Sequence, residues 1–226
     1  FHGPEEYLKK YYLSAIEEII LDNGTRSLNK IVMEGKADIP EIRRNCETYP
    51  VFSKRKMVVV RDSGLFKPGE GAKKDKDRDK DKGMDKGKDK DKGRDDIDKF
   101  IDYIKNIPSF TCLVFYENEV DRRLKIYNAI SKGGLVVEFQ YQKPHDLARW
   151  VVKMVNSNGK EIDMETASIL IERTGQEMTE LINEVNKLIA YTGDKKTINR
   201  EDVQEVCNAS VKSRIFDLTD AIVEKD

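Results

Sequence analysis

"YPVFSKRKMVVVRDSG", residues 49–64, joins the end of one helical pattern to Met57–Arg61, a β-branched run without polar alternation. Strands that read as continuous apolar runs are buried on both faces, as in parallel sheets covered by helices. Working upstream, Ile39–Tyr49 has helical spacing and Asn29–Met33 reads as a short strand. Glu5–Leu21 repeats Tyr7, Leu8, Tyr11, Tyr12, Ala15, Ile16, Ile19 and Ile20 at three-and-four intervals, which predicts a helix burying that face and ending near Gly24. Phe1 and His2 supply only a stub of strand before it, so "FHGPEE" reads as a chain that starts just inside its first strand. Downstream, helix Ile97–Ile107, strand Thr111–Tyr116, helix Arg122–Ser131 and strand Leu135–Phe139 continue the alternation. The expectation is an α/β domain over residues 1–141, with a parallel sheet and flanking helices.

The junction itself is unusual. Polar turn residues belong between a helix and a strand, yet Val51 and Phe52 stand there between Pro50 and Ser53. Either the pair folds back into the core, the reading composition favours, or it is displayed for something to dock on.

Beyond Pro144 the strand signal ends. Leu147, Trp150, Val151, Met154 and Val155 mark one amphipathic helix, Ala167, Leu170 and Ile171 a second, and Met178 through Ile189 a third. A fourth follows Asn199, its expected cap, and Gly159, Gly175 and Gly193 fall at expected helix ends. Residues 142–209 therefore form a small all-α domain, and 210–226 begin a linker with a further helix from about Ile215. Residues 67–95 are low-complexity, rich in Lys and Asp, and have Met84 as their one large apolar side chain. They are expected to be a disordered insertion. An electrostatic DNA tether is the competing reading. Alternating charges cancel within a Debye length of about 8 Å, so a solvated loop is preferred.

Of the 226 residues, 41 are basic and 42 acidic, leaving a net charge of −1 and no global field toward DNA or an anionic membrane. Cys46, Cys112 and Cys207 form no CxxC pair and suggest reduced thiols in a cytoplasmic protein. No apolar run approaches the roughly 20 residues that a membrane span requires. His2 and His145 are too far apart in sequence to suggest a shared metal site, no GxSxG elbow is present, and no catalytic constellation emerges.

A sheet domain opening on strand, Gly and helix is where a phosphate loop would lie. Setting GxxxxGK followed by Ser or Thr on "GPEEYLKK" puts Gly3 at the first glycine and Lys9 at the lysine. Leu8 then replaces the second glycine, Lys10 replaces the magnesium-binding hydroxyl, and Pro4 has no N–H to offer. Glu5 and Glu6 put carboxylates where nucleotide phosphates would meet the helix dipole. Neither strand end restores hydrolysis: Ser63 follows Asp62 where a water-orienting Glu is wanted, and Glu117 and Glu119 read as strand-end carboxylates. The position is read as a degenerate P-loop that does not bind ATP, and no cofactor or metal is expected.

Five segments, "YPVFSKRKMVVVRDSG", "TCLVFYENEVDRRLKIYNAI", "VVEFQYQKPHDLARWVVKMV", "ELINEVNKLIAYTGDKKTINREDVQEV" and "RIFDLTDAI", in this order and spacing, resemble the delta subunit of bacterial DNA polymerase III. The resemblance covers nearly the whole chain apart from the charged insertion. It implies an AAA+-like domain with a degenerate P-loop, a helical lid and a collar domain that the sequence lacks. It also implies a clamp-loader subunit without catalytic activity of its own, working in a DNA-directed DNA polymerase holoenzyme during replication. The implied partners are the beta sliding clamp, the tau/gamma and delta prime loader subunits, and DNA through the assembled complex.

In that family an apolar pair after the second helix inserts into the clamp, and the matching residues are Val51 and Phe52. The resemblance thereby reverses the preference for a folded-back Phe52. Val51 replaces the commoner leucine, a difference of one methylene and about 0.8 kcal/mol of burial. Arg122, Arg123 and Lys125 either touch DNA phosphates in the loader or form a plain solvated helix start, the reading we favour. Two alternatives from other classes are an active AAA+ ATPase with an atypical phosphate loop and, less compatible with the near-neutral charge, a free-standing DNA-binding protein.

Overall fold

The structure is a computed structural model that describes residues 1–36, 38–67 and 87–207, with the backbone alone for 87–95. The chain divides into two compact units. One comprises Phe1–Pro4 and Leu8–Phe139, and the other comprises Glu5–Tyr7 and the chain from Gln140 onward.

The first unit is organised by β2, Lys56–Arg61. It lies between β1, Lys30–Glu34, and β3, Thr111–Tyr116, and pairs with both in parallel. The registers run from Lys30 opposite Met57 and from Lys56 opposite Thr111. Because successive side chains in a strand point to opposite faces, β2 feeds two cores. Val58 and Val60 join Ile42, Cys46, Phe100, Phe115 and Ile126 on one face. Met57 and Val59 join Leu13, Leu21, Val114 and Tyr116 on the other. Burial of Lys56–Val60, every residue of β2 but the last, accounts for the absence of alternation in its sequence.

Helices cover both faces. On the second face lies α1, Glu6–Ile20. On the first lie α3, Ile39–Glu47; α4, Gly87–Lys105; and α5, Lys125–Gly133. The one-turn α2, Arg26–Asn29, leads directly into β1.

Several sequence expectations are corrected. Tyr11, Tyr12 and Ile19, assigned to the buried face of α1, are exposed, and the helix instead buries Lys9, Leu13 and Glu17 at four-residue spacing. The apolar pattern missed this because the two buried charges have partners: Lys9 at the end of β3, and Glu17 in a 2.5 Å ion pair with Lys30. Asn29, expected in a strand, closes α2.

The predicted strand Leu135–Phe139 is reduced to one bridge, Glu138 with His2. His2 N–H donates to the Val137 carbonyl (3.0 Å) and Phe139 N–H to that of His2 (2.7 Å), and a two-residue partner gives the ladder one rung. Phe1 N–H in turn donates to the Phe115 carbonyl (2.8 Å), which sets this stub alongside β3.

The helix expected from Ile97 begins at Gly87, so the last nine residues of the expected disordered insertion 67–95 are helical. Extending a formed helix costs far less than nucleating one, and lysine is a good helix former. Residues 68–86 lie outside the described residues, as do 208–226 with the expected helix near Ile215.

In the second unit, α6 (Pro144–Ser157), α7 (Met164–Thr174), α8 (Met178–Tyr191) and α9 (Arg200–Val206) bury Leu147, Val151, Leu170, Leu181, Val185, Leu188 and Val203. The Asp163 carboxylate caps α7 by accepting the Thr166 N–H (2.7 Å), and Gly175, at φ 101°, ends it. Asn199 and Asp202 form a reciprocal capping box on α9, at 2.9 and 3.0 Å. Among the described residues no helix is long and apolar enough to cross a membrane.

Candidate functional site

The loop between α3 and β2 holds Val51 and Phe52. Phe52 is 90% exposed and Val51 42%, so neither belongs to the core. Phe52 also has a φ of 50°, in the left-handed region. For a bulky residue this is an outlier that costs on the order of 1–3 kcal/mol and persists only where its surroundings hold it.

Those surroundings are a set of pins. Behind the loop, the buried Asn29 side chain accepts the Val51 N–H at Oδ1 (2.7 Å) and donates from Nδ2 to the Val51 carbonyl (2.9 Å). After Phe52, the Ser53 hydroxyl is bonded to the Asp22 carboxylate (2.8 Å). The stem is fixed as well. Lys56 Nζ donates to the Thr48 carbonyl (3.0 Å) at the end of α3, where a cation complements the helix dipole. Burial holds the Lys56 ammonium below the ordinary lysine range. The Thr111 hydroxyl donates to the Cys46 carbonyl (2.7 Å), and the Tyr49 ring stacks on Phe110 at 4.9 Å. An exposed aromatic is therefore held out on a loop tied to α2, α3 and the start of β3. The sequence marked Val51 and Phe52 but gave no signal for Asn29 or Asp22, whose roles depend on long-range hydrogen bonds.

At the opposite end of the strands, the segment read from the sequence as a degenerate P-loop is engaged within the protein. Gly3 has a φ of 116°, its N–H donates to the Asn118 carbonyl (3.1 Å), and a Cβ there would meet the Phe139 carbonyl oxygen at 2.3 Å. Close backbone packing therefore explains this glycine without a phosphate. Lys9 is 0% exposed: its ammonium donates to the Asn118 side chain (2.7 Å) and the Glu117 carbonyl (3.3 Å), and it lies 4.7 Å from the Tyr116 ring centroid. Leu8 is half-buried and Lys10 exposed. In the second unit, Glu5 accepts the Tyr7 N–H (2.9 Å), so a carboxylate of the protein occupies the first turn of α1.

The strand-end acids are also engaged. Glu117 is buried, and its Oε1 accepts both the N–H (2.9 Å) and the hydroxyl (2.5 Å) of Ser63. Burial pushes its carboxyl up from the ordinary glutamate range, while the Ser63 bonds oppose the shift. This carboxylate ties the turn after β2 to the end of β3.

The three basic residues are not all on a helix. Arg122 and Arg123 occupy a turn before α5, because the Asp121 carboxylate accepts the Arg123 N–H (2.9 Å) and its guanidinium (2.9 and 2.7 Å). These bonds pull the Asp121 carboxyl down to about 2. Arg122 pairs with Glu138 (2.5 Å), and Lys125, the first residue of α5, with Asp98 (3.0 Å).

Residues 1–140 match the family described as DNA polymerase III, delta subunit. The chain belongs to that family. It is 24% identical over 228 residues to DNA polymerase III subunit delta of Bacillus subtilis, covering 99% of this chain and 60% of the relative. It is 25% identical to the probable DNA polymerase III subunit delta of Aquifex aeolicus, covering 100% and 59%. The chain thus spans about three-fifths of the length of the curated relatives it matches.

Among solved structures, the B. subtilis DNA clamp loader delta protein superposes with a TM-score of 0.60 at 22% identity, over 99% of this chain and 61% of that one. The Thermotoga maritima RuvB Holliday junction branch migration motor superposes with a TM-score of 0.55 at 13% identity, over 91% and 59%. These likenesses establish the fold, an AAA+-like parallel α/β sheet followed by a small all-α domain. In this delta-family chain Lys9 is buried and bonded within the protein.

Proposed function

We propose that this delta-family chain acts as the clamp-contacting part of a bacterial clamp loader. In this reading Val51 and Phe52 plug an apolar pocket on the beta sliding clamp and help open the ring for loading onto primed DNA. The observation that carries it is the exposed Phe52 ring, held in a left-handed conformation by bonds on either side. Burying an aromatic anchor in a partner's pocket supplies hot-spot energy. A ring closed by its own subunit interfaces opens when a partner binds the open form more tightly than the closed one. The task therefore needs differential affinity and no bond chemistry in this chain.

The engaged states of Gly3 and Lys9 support a non-catalytic role and weigh against the ATPase alternative. Nucleotide binding and hydrolysis then fall to the tau/gamma subunits, with delta prime completing the assembly. Arg122, Arg123 and Lys125, each already paired to a carboxylate, contribute to DNA contact only by exchanging those partners. The first unit is read as the AAA+-like domain and the second as its lid. The test is a titration of a bacterial sliding clamp against the immobilised chain: saturable binding that Phe52→Ala weakens at least about tenfold is expected, and no binding by the unaltered chain rejects the proposal.

A further inference from the structure

We infer that Asn29 is the positioning residue of the clamp-binding loop, setting the direction in which Phe52 points. This rests on the clamp-binding reading of Val51 and Phe52 given above. Asn29 is 1% exposed, and its carboxamide makes three hydrogen bonds: Nδ2 to the carbonyls of Thr25 (3.1 Å) and Val51 (2.9 Å), and Oδ1 from the Val51 N–H (2.7 Å). The two bonds to Val51 take both backbone polar groups of that residue, as a neighbouring strand would. They fix the peptide groups on either side of Val51, the residue that leads into the left-handed turn at Phe52.

The second pin, Ser53 to Asp22, is solvent-exposed. A bond that competes with water holds less firmly than a buried one, so the buried carboxamide carries most of the restraint. Asn29 itself is anchored at the junction of α2 and β1, and through β1 it is tied to β2 along five paired residues. The loop's orientation is thereby referred to the sheet.

A loop released from this restraint samples other directions, and the apparent affinity falls by the fraction of time that Phe52 remains correctly presented. A competent fraction reduced to about one tenth means about tenfold weaker binding. No contact between Asn29 and the clamp is required, since its side chain lies behind the loop.

The experiment measures clamp affinity by surface plasmon resonance for the unaltered chain, Asn29→Ala and the isosteric Asn29→Asp. Asn29→Asp keeps the acceptor for the Val51 N–H but turns a carboxylate oxygen toward two carbonyls. Each substitution is repeated in a Phe52→Ala background, with amide exchange at Val51 followed in parallel. Both are expected to weaken binding about tenfold and to accelerate exchange at Val51 at least as much. In the Phe52→Ala background the loss is expected to shrink below about threefold, because no aromatic knob is left to direct. Equal losses in both backgrounds, or faster exchange with unchanged affinity, overturn the role of Asn29. Failure of the unaltered chain to bind the clamp, with exchange at Val51 still responding to the substitution, removes instead the reading on which the inference rests.

Discussion

Truncating Phe52 to alanine separates a displayed knob from a packing residue. In the free protein the ring is 90% exposed, so its loss removes almost no buried surface, and the folding free energy is expected to change by no more than about 0.5 kcal/mol. Alanine must adopt the same left-handed φ, so no backbone strain is relieved either. On the clamp the balance is different. Full burial of a Phe side chain is worth about 1.5–3 kcal/mol. At 1.4 kcal/mol per factor of ten, its removal weakens binding roughly 10- to 150-fold. Titration of the sliding clamp by surface plasmon resonance measures the second quantity, and urea denaturation followed by circular dichroism measures the first. A binding change below about threefold, or a loss of stability as large as that of a core truncation, refutes the reasoning. The first result would mean that the ring is a bystander in the complex, and the second that it packs at home.

Three further outcomes are expected. Lys9→Met leaves the Glu117 carbonyl and the Asn118 side chain without their buried donor and is expected to cost about 1–3 kcal/mol in urea denaturation. ATP affinity in the unaltered chain that Lys9→Met abolishes without unfolding it would contradict the non-catalytic reading. Burial pushes the thiols of Cys46 and Cys207 and the phenol of Tyr103 up to about 11, 12 and 12, from ordinary values of 9, 9 and 10. These groups ionise in the unfolded chain before they do in the native one, so their stabilisation is fully present below about pH 9 and declines as pH rises toward 12. A melting temperature constant from pH 8.5 to 11 would count against this. Asn199→Ala removes one half of the capping box on α9 and is expected to destabilise the helical unit by about 0.5–2 kcal/mol, read as a shift in its denaturation midpoint; an unchanged midpoint would show the cap to be redundant.

The sequence was most informative where physical chemistry is local. Met57–Arg61 announced a doubly covered strand because both of its faces meet apolar neighbours, and Asn199 announced a cap because its partner is three residues away. It misled where a charge is buried with a distant partner. Periodicity counts Tyr11, Tyr12 and Ile19 as core candidates and Lys9 and Glu17 as surface, whereas hydrogen bonds to residues 108 and 109 positions away and an ion pair to Lys30 reverse the assignment. The candidate site followed the same division. Val51 and Phe52 were conspicuous as apolar residues in a turn, while the carboxamide behind them was invisible because an Asn before a strand has many ordinary explanations.

The geometry of the sheet gives the two altered features of this unit a common logic. The strands are parallel, so the loop entering β2 at Lys56 and the segment leaving β3 at Glu117 lie at opposite ends of the same layer. Six residues at about 3.3 Å each separate those ends by roughly 20 Å. Parallel α/β sheets place their ligands at the carboxyl ends of the strands. Here that end is closed by Gly3, Lys9, Ser63 and Glu117, which bond to one another's segments. The exposed aromatic is carried at the amino end. Internal hydrogen bonds at that end tie α1, the turn after β2 and the end of β3 together, which stiffens the sheet to which the loop carrying the strained, outward Phe52 is anchored.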